Sequence, residues 1–158
     1  MFDIFLTEES AEEPASEGRL HVEAVYGKIR IGEFHETFIA SLFFWSRTQY
    51  EHHWRTALER IVGGATQSAL IASYVEPPAT LIGEEFLVWW PLYREREVVY
   101  VQNHLLFFGQ LSNPFSAERY WESVGERQTV TAEGAQISEW ITSVQSIRDY
   151  LARKLTGH

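Results

Sequence analysis

The sequence predicts an α+β fold built on a mainly antiparallel sheet, and three observations carry that prediction. Apolar residues alternate with period two near the start of the chain and again through FLVWWPLYREREVVYVQN at 86–103. Long stretches of helical period occur only at Tyr50 to Ile61 and Val144 to Leu155. Strands come in runs before each helix rather than one for one, which excludes a doubly wound pattern and sets the helices over the faces of the sheet.

The elements follow in order. Phe2 to Leu6 reads as a short first strand. Residues 7–18, TEESAEEPASEG, are polar, acidic and without aliphatic period, so a flexible loop is expected there. LHVEAVY and KIRIGEF alternate as the strands of a hairpin split at Gly27, and Phe38 to Phe44 adds another apolar run. Tyr50, Trp54, Ala57, Leu58 and Ile61 share one helical face; Ser46 and Gln49 have capping-box spacing, and Gly63-Gly64 stops the helix. SALIASY at 68–74 is a buried strand and EPPAT a turn. Asn113-Pro114 precedes a short helix capped by Ser116 and reaching Val124. Thr142 and Gln145 repeat the capping-box spacing ahead of Val144, Ile147, Tyr150, Leu151 and Leu155, with Arg153 and Lys154 in the last turn of a second long helix.

In the 86–103 hairpin, pairing Tyr93 with Val98 across an Arg94 to Glu97 turn puts Trp90 opposite Val101, Leu92 opposite Val99, Trp89 opposite Gln102 and Pro91 opposite Tyr100. One face then carries Phe86, Val88, Trp90, Leu92, Val99, Val101 and Leu105 toward the core. The other carries Trp89, Tyr93, Tyr100, Gln102 and His104, rings with polar tips suited to a surface that is half wet or covered by a polar partner. Pro91 lacks the amide a ladder needs, so this strand is expected at a sheet edge or a bulge.

The 158 residues are read as one domain over 1–158, long enough to bury roughly 70% of the surface the unfolded chain exposes. The absence of cysteine excludes disulfides, thiol nucleophiles and thiolate zinc sites, and fits a reducing compartment. With no basic leader and no run of roughly 20 apolar residues, a cytoplasmic location without membrane contact is expected. The formal charge is -9, and residues 1–36 hold nine acids against Arg19, Lys28 and Arg30. Such a field repels nucleic acid and membranes and attracts basic partners; solubility alone accounts for it equally well.

Gly63-Gly64 follows a helix, with no Lys-Ser/Thr pair behind it, so it reads as a helix end and not a phosphate loop. Adjacent His52 and His53 project about 100° apart on a helix and do not share a metal as an i, i+4 pair does. No metal or cofactor is expected. His104 is a candidate general base with Ser138-Glu139 near it, which keeps a hydrolase as one alternative. The acids Glu84-Glu85, Glu95, Glu97, Glu118 and Glu122 offer paired carboxylates, more simply explained by exposed turns and helix faces. Rings on a sheet also stack single-stranded nucleic acid, which makes a nucleic-acid-binding module on the aromatic face a second alternative. Its basic groove is missing, because Arg94 and Arg96 alternate with Glu95 and Glu97. Rings and acids together fit a docking surface for a basic protein better. Charge and pleat nominate Glu76, Glu84, Glu85, Trp89, Glu95, Glu97, Tyr100 and Glu139 as its contacts; no catalytic residue is expected.

SALIAS followed by EPP, then WPLY, VYVQN, Phe115-Ser116 and ISEW ahead of the amphipathic C-terminal helix resemble the immunity proteins of bacterial contact-dependent growth inhibition systems. The opening MFDIF and the run Phe44, Trp45, Tyr50, Trp54 are similar too, so the resemblance spans most of the chain. It implies a curved, Whirly-like sheet with two longer helices and one short one. It also implies a cytoplasmic bacterial monomer that binds, one to one, the toxin domain ending a large delivered surface protein. For such relatives the toxin is a colicin-like nuclease of ribosomal RNA, commonly basic, and the immunity protein itself touches no nucleic acid. The chain departs from the family pattern in the longer turn after Glu76-Pro77, at Pro91 and in the acidic residues 7–18. Immunity proteins vary most where they meet their toxins, so the eight contacts are not carried over from the family.

Overall fold

A computed structural model describes residues 1–12, 23–77 and 85–156. Two antiparallel sheets form its frame. The first joins β1 (Phe2–Glu12), β2 (Glu23–Ile31) and β3 (Phe34–Ser41) in that order. The second has the order β4 (Gln67–Ser73), β5 (Phe86–Glu95), β6 (Val98–Gln102), β8 (Glu139–Ser143), with β7 (His104–Phe107) also on β5. Helix α1 (Arg47–Val62) links the sheets, and α2 (Val144–Thr156) follows β8. The α+β class and antiparallel pairing hold, with the hydrogen bonds dividing the strands between two sheets.

Several local expectations move. Strand β1 runs to Glu12 through an irregularity between Leu6 and Ser10, so residues 7–12 of the expected loop are strand; residues 13–18 lie outside the described part. A ladder needs backbone groups, not apolar side chains, and Glu8, Glu9 and Ser10 point to water. Gly27 is no turn. It sits mid-strand opposite Phe38, whose ring lies 2.4 Å from where a Cβ would stand, and β2 and β3 reverse instead at Gly32, with φ +61°. The ring of Phe38 fills the place of the missing side chain.

The α1 capping box forms as expected: Gln49 N donates to Ser46 Oγ at 3.2 Å and Ser46 N to Gln49 Oε1 at 2.8 Å. Its buried face is Tyr50, His53, Trp54, Ala57, Leu58 and Ile61. At α2 the cap falls one residue later than expected, because Thr142 belongs to β8 and Ser143 Oγ accepts from Ser146 N at 3.0 Å. The short helix is a 3₁₀ segment, Ala117–Ser123, irregular at Arg119, and the Ser116 side chain does not cap it.

The β5–β6 turn is tighter than expected: Arg96 takes φ 58°, Glu95 pairs with Val98, and Tyr93 with Tyr100. The register therefore slips by two residues, and because the pleat has period two both faces keep their predicted residues. Pro91 is not on an edge. Strand β5 has β4 on one side, where Ala69 meets Pro91, and β6 and β7 on the other; the ladder lapses opposite Pro91 and separates those two.

Helices close two outer strand edges with side chains. Along β1, Tyr150 Oη donates to Ile4 O at 3.0 Å, Arg153 Nη2 to Phe2 O at 2.8 Å and Arg47 Nη1 to Thr7 O at 2.9 Å. Along β4, Trp54 Nε1 donates to Ile71 O and Ile71 N donates to His53 Nε2, both at 2.9 Å, while Arg60 Nε reaches Gln67 O at 3.2 Å. Between the sheets Phe34 stacks on Trp140 at 4.1 Å, beside the fully buried Trp90.

Candidate protein-binding surface

Trp89, Tyr93, Tyr100, Gln102 and His104 share one face of the second sheet, as the pleat predicts. The chain covers that face itself. After β7 the backbone returns over it: Phe115 packs edge-on to Trp89 at 6.4 Å and against Phe108, and Val124 is buried. Farther along, the Arg127 guanidinium lies 3.7 Å above the Tyr100 ring and makes two hydrogen bonds to Glu139, at 2.8 and 2.5 Å. The expectation of a partner-facing Trp89 is thereby corrected, since its ring is only 2% exposed. Tyr100 and Glu139 are engaged internally by Arg127. Bases have no open rings to stack on here, because Tyr93 is buried as well.

A polar chain crosses the same face. Gln102 Nε2 donates to Gln128 O at 2.9 Å and to Glu139 Oε2 at 2.7 Å, which leaves Gln102 Oε1 to accept from His104 Nε2 at 2.6 Å. Arg127 holds the Glu139 carboxyl below the usual carboxylate range, and burial lowers the His104 imidazole. His104 thus bonds an amide that relays no proton, and its Nε2 acts as a donor. The arrangement ties β6, β7 and β8 to residues 127–128, while Ser138 is exposed.

The remaining nominated acids occupy both ends of β5. Glu95 and Glu97 flank the turn with exposed carboxylates, Glu97 lying 3.3 Å from Arg94 and Glu95 3.8 Å from Arg127. Glu76 is exposed near the other end; its charge, second to burial, raises the Tyr74 hydroxyl. Glu85 is half-buried, and Glu84 lies outside the described residues. A ten-residue strand separates the two groups by roughly 30 Å, so they are two patches and not one.

Among the described residues, two clusters of exposed apolar side chains stand out. On the face assigned to the core, Phe86 (41% exposed) pairs with Phe107 and Val88 with Leu105 (49% exposed), so that face is wet at its far end. The second is a run of rings. It leads from Phe43, 68% exposed, through Phe44, Tyr74, Trp45 and His53 to Tyr120 and Trp121, each within 6.2 Å of the next. Its latter half lines a groove of about 1160 Å³ between α1 and the Ala117–Ser123 segment. The adjacent histidines diverge there. His52 is exposed; His53 is buried, its imidazole lowered to about 3 chiefly by burial and then by His52, and its Nε2 accepts the Ile71 amide, so the proton of the neutral ring stays on Nδ1. The sequence signal for this surface was the Phe44-Trp45 and Tyr50-Trp54 spacing; nothing local tied it to Trp121, which is brought in by tertiary packing.

Rigidly backed rings beside exposed carboxylates are the kind of surface by which protein-binding modules hold their partners. The family profile described as the CdiI N-terminal domain matches residues 40–150. The immunity protein CdiI of Enterobacter cloacae subsp. cloacae is 34% identical over 151 residues, covering 95% of this chain and 96% of that protein. A solved chain from the CdiA-CT/CdiI toxin and immunity complex of Enterobacter cloacae superposes with a TM-score of 0.81 at 30% identity, covering 99% of this chain and all of that one. The chain belongs to the CdiI immunity-protein family.

Proposed function

We propose that this chain neutralises the toxin domain of its own contact-dependent growth inhibition system by binding it in the bacterial cytoplasm. It does so as a monomer, one to one, by stoichiometric inhibition without turnover. The observation that carries this reading is the likeness over 99% of the chain to a protein solved from a toxin and immunity complex. Among the described residues no helix is long and apolar enough to cross a membrane.

We further infer that the toxin is basic and a nuclease. The net charge of -9 and the exposed Glu76, Glu95 and Glu97 support a basic partner, since carboxylates at a rim accelerate and orient its encounter. A nanomolar pair, worth about -12 kcal/mol, would hold through a few buried anchors. The test is calorimetric titration with the toxin domain encoded by the adjacent upstream reading frame, at two salt concentrations. Saturable one-to-one binding that weakens with salt is expected. No heat with that domain, alongside binding to a single-stranded oligonucleotide, would overturn the reading, and a toxin domain without nuclease activity would overturn its finer part.

A further inference from the structure

We infer that the groove between α1 and the Ala117–Ser123 segment, with the exposed rings that lead into it, docks an Arg- or Lys-bearing segment of the cognate toxin. This rests on the immunity reading above and assigns it a place on the molecule. The rings are held in position before any partner arrives. Trp45 stacks on Tyr74 with centroids 4.3 Å apart and planes 15° from parallel, and it meets Tyr50 edge-on at 5.2 Å. Tyr120 is fixed by its hydroxyl, 3.3 Å from Ser68 Oγ, and by an edge contact with His53 at 4.8 Å. Half-exposed Trp45 and Trp121 on so rigid a backing lose little freedom on binding, and Trp and Tyr are the side chains that most often anchor an interface.

Charge selects the occupant. Glu59 and Glu118 line the groove with exposed carboxylates, and Glu76 stands beyond it, next to Tyr74. Of the basic side chains along the groove, Arg60 already lies over Trp121 at 4.3 Å and donates to Gln67 O, the buried His53 is neutral, and His52 is exposed at the rim. Arg60 on Trp121 shows that a guanidinium fits the face of a groove ring. The Phe86–Leu105 surface also pairs two rings, Phe86 and Phe107 at 5.4 Å, but the described acid next to them in the chain, Glu85, is half-buried rather than exposed.

The test titrates the upstream-encoded toxin domain with the full chain and three variants: Trp121→Ala, the double reversal Glu59→Lys with Glu118→Lys, and Leu105→Ser on the other apolar surface. Thermal unfolding checks each fold, and the double reversal, at exposed positions, keeps the test valid if Trp121→Ala unfolds. We expect Kd to rise at least tenfold for Trp121→Ala and for the double reversal, the latter with a shallower salt dependence, and to change less than twofold for Leu105→Ser. Wild-type binding that both groove variants leave within twofold would overturn this inference while the immunity reading stands, and loss with Leu105→Ser alone would move docking to the β5–β7 surface. No binding by the wild type would overturn both.

Discussion

The hairpin face around Trp89, Tyr93 and Tyr100 and the run from Phe43 to Trp121 are both dense in rings, yet only the second has exposed ones, Phe43 and Phe44; its Tyr74, His53 and Tyr120 are as buried as Tyr93. The first is roofed by residues 108–128, which return over it and seat Phe115 on Trp89 and Arg127 on Tyr100. The second is backed by α1 and β4 and meets water in part, at half-buried Trp45 and Trp121 and at Phe43 and Phe44, which project from the turn before α1. Residue type therefore decides which face a ring takes, and a distant stretch of chain decides whether that face is dry.

Removing a ring from each surface should separate the two. Trp89→Ala leaves a void under the roof and should cost about 3–5 kcal/mol of stability in urea unfolding. A loss below about 1 kcal/mol would mean that the roof is loose and Trp89 accessible. Next in size is the clasp of the roof: Arg127→Ala leaves the half-buried Glu139 carboxylate with the Gln102 amide but without its ion pair and should cost about 1–2 kcal/mol, read from the same denaturation curve.

The third prediction concerns the wall shared with the open groove. An unfolded histidine titrates near 6.5 and the buried His53 only at about 3, so on acidification the unfolded chain takes up the proton first. The contribution of neutral His53 is whole above pH 6.5 and is lost as pH falls toward 3, at up to about 1.4 kcal/mol per pH unit. Glu139, held low by Arg127, adds its own loss as pH falls through its folded pKa. His53→Gln keeps an acceptor for the Ile71 amide and removes the first component, so its stability should fall less steeply between pH 6.5 and 4.5. Parallel wild-type and variant profiles would place the titration elsewhere. The smallest effect belongs to Phe43→Ala, which should shift stability by no more than about 0.5 kcal/mol, because most of that ring is already in water.

Much of the frame was legible because it rests on local chemistry. The capping box at Ser46 and Gln49, the apolar stripe of α1 and the two faces of the 86–103 hairpin all follow from spacings of two to four residues. The hairpin faces survived a wrong register because the slip was even. Gly27 misled: a glycine between alternating runs reads as a turn, and only its cross-strand partner Phe38 shows it to be a vacant place in a strand. Strand β8 escaped notice because its pairing with β6 joins residues about forty positions apart. Of the nominated contacts, the sequence shows charge but not cover. Exposed Glu76, Glu95 and Glu97 are where charge put them, whereas Trp89, Tyr100 and Glu139 were read without the segment that covers them.

The side chains that α1 and α2 send to the outer edges of β4 and β1 have a consequence for how the protein accumulates. A bare strand edge is a template on which another copy of the chain can add its own strand, the first step toward filaments. Here the carbonyls of Phe2, Ile4, Thr7, Gln67 and Ile71 and the Ile71 amide already have partners. At high concentration a second copy therefore meets fewer unpaired backbone groups at these two borders on which to add a strand.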